Sequence, residues 1–462
     1  MNPDLDRRTF LGAGAAGLGY FFTATAASAQ RTGRKPNETL QVAGIGVGGK
    51  GGSDIDQAGK LGEVVALCDI DEGTLKGKAE KFSSARKFYD FRKMYDEMAR
   101  HIDAVTVSTP DHSHALAALT GIRLGKHVYC QKPLAHSVFE CRVLKDAARQ
   151  HNVCTQMGNQ GSAENGLRRA VELVQSGIIG DVKEAHVWTN RPIWPQAPKV
   201  TKRPEKSDPW PDSLHWDEFL AGAPLRPFAK DTYHSFKWRG WLDFGTGAIG
   251  DMACHTANMA FRALKLAYPT TISAESGEVN NETFPGWAHV TLKYPDRGNL
   301  PPVTLHWYEG HRDGKLVLPP EDLQAKVLSD GKKLPSSGSI LVGEKGILYS
   351  PDDYGARFFI TPKELVDGKT LDKPETLPSN GKGDQGMKDE WYEAIKAGKP
   401  EIAYSNFDIA SLLTESFLLG NVAIRTGKTL EWDGPGLRVT NVPEANRFIQ
   451  TEYRRGWEVT RA

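Results

Sequence analysis

Residues 39–51 read Thr39-Leu-Gln-Val-Ala-Gly-Ile-Gly46-Val47-Gly48-Gly49-Lys50-Gly51, and the helix-like run Ser53-Asp-Ile-Asp-Gln-Ala-Gly follows. An apolar strand that runs into G-x-G-x-x-G and then a helix is the fingerprint of a dinucleotide site. Gly46 permits the tight turn, Gly48 lets backbone approach a pyrophosphate, and Gly51 packs helix on strand. Gly49 and Lys50 lie in the same loop. Free N–H groups at the helix N-terminus favour the phosphates. A second strand, Glu63–Asp69, ends in an acid 18 residues past Gly51. A carboxylate there hydrogen-bonds an adenine ribose and repels a 2′-phosphate, so Asp69 favours NAD over NADP, with Asp71 a second candidate.

Outward from this loop the α/β rhythm continues. Residues 102–110 read as a buried strand, 115–125 as a helix, 127–133 as a strand carrying Lys132 at its end, 139–151 as a helix and 152–157 as a strand. Such alternation predicts a parallel doubly wound sheet, with ligands outside the carboxyl ends of its strands. Thr109-Pro110, Gln131-Lys132-Pro133 and Asn159-Gln160 fall at those ends. Beyond residue 181 the pattern changes. Residues 182–188, 287–294 and 303–308 alternate as half-buried strands, and a Pro-rich loop occupies 192–211.

The N-terminus reads Asp6-Arg7-Arg8-Thr9-Phe10-Leu11, then a Gly/Ala-rich apolar stretch ending Ala27-Ser28-Ala29-Gln30. This has the form of a twin-arginine export signal over 1–29, with a linker at 30–38. A periplasmic or otherwise exported protein with no stable membrane anchor is expected. Five Cys (68, 130, 141, 154, 254) in such a protein make no disulfide framework and read as buried free thiols. The 462 residues carry 58 Lys+Arg against 57 Asp+Glu, a net +1, which gives no general attraction to nucleic acid. Eleven Trp are present, eight of them between 188 and 307. That imbalance suggests that the Trp-rich part is the carbohydrate-binding side.

Several stretches together resemble the Gfo/Idh/MocA oxidoreductase family. They are the glycines at 46, 48 and 51, the run Asp103-Ala-Val through Thr109-Pro110-Asp-His-Ser-His114, Cys130-Gln131-Lys132-Pro133 in place of the family's E-K-P, and Asp251-Met-Ala-Cys-His255 after Gly245–Gly250. The resemblance runs from about residue 39 to the end. It implies an N-terminal Rossmann domain over 39–157 and a substrate-binding α/β domain over 158–462 with a mostly antiparallel open sheet. The late helices, 387–397 and 406–426, are expected to pack back on the first domain. One departure stands out: Gln131 replaces the usual Glu and removes a carboxylate beside the lysine.

The expected chemistry is hydride transfer from a ring hydroxyl to tightly bound NAD, NADP being disfavoured. Lys132 is the first candidate for the proton role. Asp251 and His255, spaced i, i+4, share one helix face. One can orient while the other exchanges a proton with the substrate hydroxyl. Thr109, Pro110, His114 and Gln131 shape the cofactor site. Asn159, Gln160, Trp238, Arg239, Trp241 and His255 are expected to meet the sugar. No metal is implied. Export without cofactor recycling points to an enzyme that regenerates NAD within each cycle, as in oxidation at C3, elimination, hydration and re-reduction of a glycoside. A plain sugar or polyol dehydrogenase and a non-catalytic sugar-binding protein are the alternatives. The broad second sheet offers a surface for homo-oligomers.

Overall fold

The computed structural model describes residues 39–328 and 331–461; the expected export signal and linker at 1–38 lie outside the described residues. The first unit contains β1 (Gln41–Ile45), α1 (Gly49–Ala58), β2 (Glu63–Cys68), α2 (Glu72–Lys81), β3 (Arg86–Phe88), α3 (Phe91–Met98), β4 (Ala104–Val107), α4 (Asp111–Arg123), β5 (His127–Cys130), α5 (Val138–Gln150) and β6 (Thr155–Met157). Its six strands are all parallel in the order β3-β2-β1-β4-β5-β6. The order reverses between β1 and β4, so the loops after these two strands flank the crevice where a ligand sits.

The local chemistry explains the boundaries. Pro110 lacks an N–H and ends the β4 loop as the N-cap of α4. Asp111 then starts the helix four residues earlier than the sequence pattern suggested, its acid favoured in the first turn. Ser137 and Glu140 form a reciprocal capping box that begins α5. The five cysteines are all free and buried.

The second unit contains α6 (Asn165–Gln175), β7 (Val182–Thr189), α7 (Trp216–Leu220), α8 (Gly247–Thr256), α9 (Asn258–Ala263), β8 (Thr271–Ser276), β9 (Trp287–Tyr294), β10 (Val303–Arg312), β11 (Lys315–Leu316), α10 (Glu321–Val327), β12 (Ser337–Gly343), β13 (Ile347–Ser350), β14 (Phe359–Thr361), α11 (Gly383–Ala397), α12 (Phe407–Thr426), β15 (Leu430–Asp433) and β16 (Arg438–Val439). Nine of its strands run β14-β13-β12-β7-β10-β9-β8-β15-β16, with β11 on β10. All pairs are antiparallel except β7–β10. The chain is therefore an α/β protein with a parallel doubly wound sheet followed by a mostly antiparallel one.

Helix α12 is long and apolar enough to cross a membrane by length and composition, yet 83% of that window is buried inside the fold. Leu413, Phe417 and Leu419 are at most 1% exposed. Each such side chain contributes about 1.5–3 kcal/mol by leaving water. The helix packs on α5, α8 and β8, so it joins the two units. Helix α11 packs against α1, β5 and β6 of the first unit.

Candidate active site

The Gly-rich loop is shaped as a dinucleotide cradle. Gly46 has φ +74°, and a Cβ there would lie 2.6 Å from the Ser108 carbonyl oxygen. A Cβ on Gly51 would lie 2.0 Å from the Gly46 carbonyl oxygen, so only glycine lets α1 approach β1. Gly48 is the N-cap of α1 and offers no side-chain cap, which leaves the first-turn N–H groups for a phosphate. Around Gly49 a Cβ would meet nothing within 4 Å. Asp69 accepts from the N–H of Val47 at 2.8 Å and of Asp71 at 3.0 Å. Burial raises its pKa although these two bonds oppose the shift. Asp69 thus holds the loop from behind. These features fit a nicotinamide dinucleotide.

Across the crevice, Lys132 follows β5 and Asp251 lies on α8. The Lys132 Nζ donates to Asp251 Oδ1 at 2.8 Å and to its backbone oxygen at 3.0 Å. The Arg239 Nε lies 3.4 Å from the same carboxylate oxygen. Burial would raise the Asp251 pKa, but the charges of Lys132 and Arg239 outweigh it and hold the group at about 2. His255, one turn on, is 5% exposed. Burial first, and the Lys132 charge second, push its pKa down to about 3, so the ring is neutral. Its Nδ1 is buried with no partner. A buried polar atom without a bond is costly and marks a place where a ligand completes the site.

The surrounding side chains fix these three. His114 bridges two strand-end loops, with Nδ1 2.7 Å from the Pro133 oxygen and Nε2 2.8 Å from the Thr109 oxygen. Burial keeps its ring neutral down to about 4. A neutral ring carries one N–H, so it donates to one of these two carbonyls and only packs against the other. Asn159, fully buried, donates to the Cys254 oxygen at 3.0 Å and leaves its Oδ1 without a partner. Gln160 donates to the Tyr354 hydroxyl at 3.1 Å.

Two site residues were missed in the sequence. Tyr354 packs edge-on to His255 with ring centroids 5.2 Å apart. Its loop is held by Asp352, which accepts from the N–H of Tyr354 and Ala356. The signal was the turn run Pro351-Asp-Asp-Tyr-Gly355 after a strand. Asp111 is 3% exposed, accepts from Thr246 Oγ1 at 2.7 Å, and is raised by burial to about 6.

Three expectations need correction. Trp241 does not reach the cleft: it is 1% exposed, donates to the Thr232 oxygen at 3.2 Å, and packs on Tyr233. Trp238, 6% exposed, lies in the same aromatic cluster and serves as the platform under the Arg239 guanidinium, 4.3 Å away. The Trp-rich stretch is largely core, with Trp188, Trp194, Trp216, Trp238, Trp241 and Trp307 all buried. Lys50 is not left free for a phosphate. It pairs with Asp54 and, at 2.9 Å, with Asp384 of α11. Gln131 does not stand beside the Lys132 amine either; its Nε2 donates to Asp54 Oδ2 at 2.8 Å. The carboxylate next to Lys132 is that of Asp251, so the exchange of Glu for Gln leaves the lysine with an acidic partner.

Comparison with known proteins agrees with this layout. The model of an oxidoreductase family with an NAD-binding Rossmann fold matches residues 14–159, and that of the same family's C-terminal alpha/beta domain matches 166–301. A levoglucosan dehydrogenase of Pseudarthrobacter phenanthrenivorans is 24% identical over 183 residues, 39% of this chain and 37% of that protein. A glycosyl hydrolase family 109 protein of Solibacter usitatus is 30% identical over 162 residues, 32% of this chain and 36% of that protein. The chain spans from about a quarter to just over half of the length of the curated relatives it matches. Among solved structures, the WlbA dehydrogenase of Bordetella pertussis in complex with NADH and UDP-GlcNAcA superposes with TM-score 0.58 at 16% identity, over 86% of this chain and 99% of that one. The aldose-aldose oxidoreductase of Caulobacter crescentus complexed with glycerol gives 0.56 at 16% identity, over 86% and 100%. At such identities the likeness is one of fold.

Proposed function

The chain belongs to the Gfo/Idh/MocA oxidoreductase family, and from that premise we propose that it oxidises a ring hydroxyl of a sugar, polyol or glycoside with a bound nicotinamide dinucleotide. The observation that carries this reading is the Lys132–Asp251–His255 cluster, whose one unsatisfied ring nitrogen is buried at the carboxyl end of the parallel sheet. The Gly46–Gly51 loop and Asp69 would hold the dinucleotide, and Asp69 favours NAD over NADP. When bound, NAD supplies the hydride acceptor.

The residues divide the remaining work. Asp251 is ionised at every pH above about 2 and keeps the Lys132 side chain fixed. The ammonium stabilises negative charge on the substrate oxygen as the C–H bond breaks. His255 is neutral above about 3, so a ring nitrogen is free of a proton; its basicity, lowered by burial and by the Lys132 charge, rises as negative charge develops on the adjacent substrate oxygen, and it then takes the hydroxyl proton. This moves the proton-accepting role from Lys132 to His255. Gln160, Tyr354 and Arg239 surround the same space and orient hydroxyls. The exported, periplasmic setting is also a proposal; the twin-arginine run supports it, and a fusion of residues 1–38 to a folded reporter tests it.

A second reading has a specific support, the 30% identity to the family 109 protein. In it, oxidation at C3 acidifies the C2 hydrogen, the aglycone leaves by elimination, water adds and the ketone is reduced again. Denaturing the purified protein and assaying released NAD tests the premise. Incubating the cofactor-loaded protein with polyols and glycosides in deuterated water then separates the readings. Keto-sugar without cleavage supports simple oxidation, and deuterium at C2 with aglycone release supports the redox-neutral route. Absence of any bound or bindable dinucleotide rules out both.

A further inference from the structure

A cavity of about 420 Å³ includes none of Lys132, Asp251, His255 or Arg239 in its walls. The turn that starts α5, the segment leading into α8, one face of α12 and the C-terminal segment 447–452 enclose it. Two arginines face it from different elements. The Arg425 guanidinium lies 3.9 Å and that of Arg447 4.5 Å from the centroid of one ring, Phe448. Neither has an ion pair or a side-chain hydrogen bond among the described residues. This sets them apart from Arg142 and Arg168, which are buried against Glu415 and Glu390.

The nearby acids answer this charge only in part: Asp243 favours the charged Arg425, but burial and Arg447 outweigh it. Asp243 lines the cavity but is paired with Arg226, and Glu452 is exposed at the rim. Burial, and then the charge of Arg447, lower the pKa of Arg425 to about 10. A guanidinium so placed is short of an anion. Asn421 adds a second requirement. Its Nδ2 donates to the Thr246 oxygen at 2.7 Å, while its Oδ1 is buried with no partner. That oxygen calls for a hydroxyl or amide donor.

We propose that this cavity binds a polyhydroxylated organic anion, a sugar acid or sugar phosphate, whose charged group bridges Arg425 and Arg447 and whose hydroxyl reaches Asn421. The volume suits a molecule of monosaccharide size. The site is separate from the catalytic cleft, although its walls include His136, four residues past Lys132, and Thr246, the N-cap of α8.

Calorimetric titration of the full chain with gluconate, inorganic phosphate and uncharged sorbitol tests this. Gluconate is expected to bind saturably and sorbitol at least about tenfold more weakly, because only the former makes charge-assisted bonds. Arg447 is exposed and has no ion pair or hydrogen bond among the described residues, so Arg447→Gln keeps the melting temperature while weakening gluconate about tenfold. Asn421→Ala weakens gluconate but leaves phosphate unchanged. Lys132→Met leaves both unchanged. Gluconate affinity that survives Arg447→Gln, or that is lost in Lys132→Met, places the anion elsewhere and overturns the proposal. So does the absence of any anion binding up to about 10 mM. Repeating the titration with glucose 6-phosphate tells a phosphate-bearing ligand from a carboxylate-bearing one.

Discussion

Gln131 and Lys132 are neighbours in the chain, yet their side chains end in two different ion-pair clusters. Gln131 reaches Asp54, which is fully buried and completely satisfied. Its Oδ1 accepts from Lys50 and, at 2.6 Å, from the fully buried Lys388; its Oδ2 accepts from Ser108 and Gln131, each at 2.8 Å. Lys388 also contacts Asp384 at 3.0 Å and lies 4.3 Å from the centroid of the Tyr129 ring. Lys132 reaches the other cluster, where His255 Nδ1 and the nearby Asn159 Oδ1 have no partner. Asp54 itself has no valence left for a ligand, and the bonds it makes hold α11 against α1. The second cluster is incomplete in the protein alone, and chemistry belongs there. Burial and a Lys–Asp pair are common to both; open bonding capacity tells them apart.

The largest effect that would test this division is on stability. Lys388→Met leaves Asp54 and Asp384 facing each other with one cation fewer, and denaturant unfolding should show a loss of about 3–5 kcal/mol. Activity per folded molecule should stay near wild type, since Lys388 touches no group in the cleft. A stability change below about 1 kcal/mol would mean that the Asp54 cluster does not hold α11.

Asp111 comes next. Its folded pKa is about 6 against an ordinary 3.8, so the ionised form is the costly one. Stability from this group is full below pH 3.8, declines as pH rises to about 6, and stays lowered above that. Asp111→Asn keeps the acceptor for Thr246 without the charge, so unfolding at pH 7 should show a gain of about 2–3 kcal/mol that vanishes near pH 3.8. An equal gain at both pH values would locate the effect in packing rather than charge.

Gln131→Glu sharpens the comparison from the chain itself. It replaces the donor to Asp54 by a second carboxylate, at an expected cost of about 1–3 kcal/mol. Adding Asp54→Asn should restore most of the loss, and a double-mutant cycle measures that coupling. Additive losses would show that the two groups do not interact. The smallest effect is at the edge of the open cluster. Tyr354→Phe removes the hydroxyl that Gln160 bonds but keeps the ring on His255. We expect KM to rise about two- to fivefold with kcat nearly unchanged. A fall in kcat alone would give Tyr354 a part in the chemical step.

Legibility in the sequence followed the distance over which each feature is determined. The Gly46–Gly51 loop and the strand–helix rhythm are local and could be read directly. The three residues of β3 gave too short a pattern to register, and the N-cap role of Pro110 displaced the start of α4. The roles of Lys50 and Gln131 were misjudged because their cluster depends on α11, whose Asp384 lies 334 residues beyond Lys50. Tyr354 lies 194 residues from Gln160, and its turn run shows a loop but not what the ring meets. The tryptophans show the limit of composition: an aromatic-rich stretch looks the same whether the rings face a sugar or one another, and here most face the core.

The central claim is that the cluster with open valences performs the oxidation, and Lys132→Met tests it most directly. The measurement is single-turnover reduction of bound NAD by a sugar that reduces it in the wild type, followed by absorbance of the reduced nicotinamide. Lys132→Met is expected to retain NAD and to reduce it about a thousandfold more slowly per folded molecule, with a stability loss smaller than that of Lys388→Met because the Arg239 guanidinium stays beside Asp251. Reduction at the wild-type rate, or a loss of stability as large as that of Lys388→Met, would contradict it.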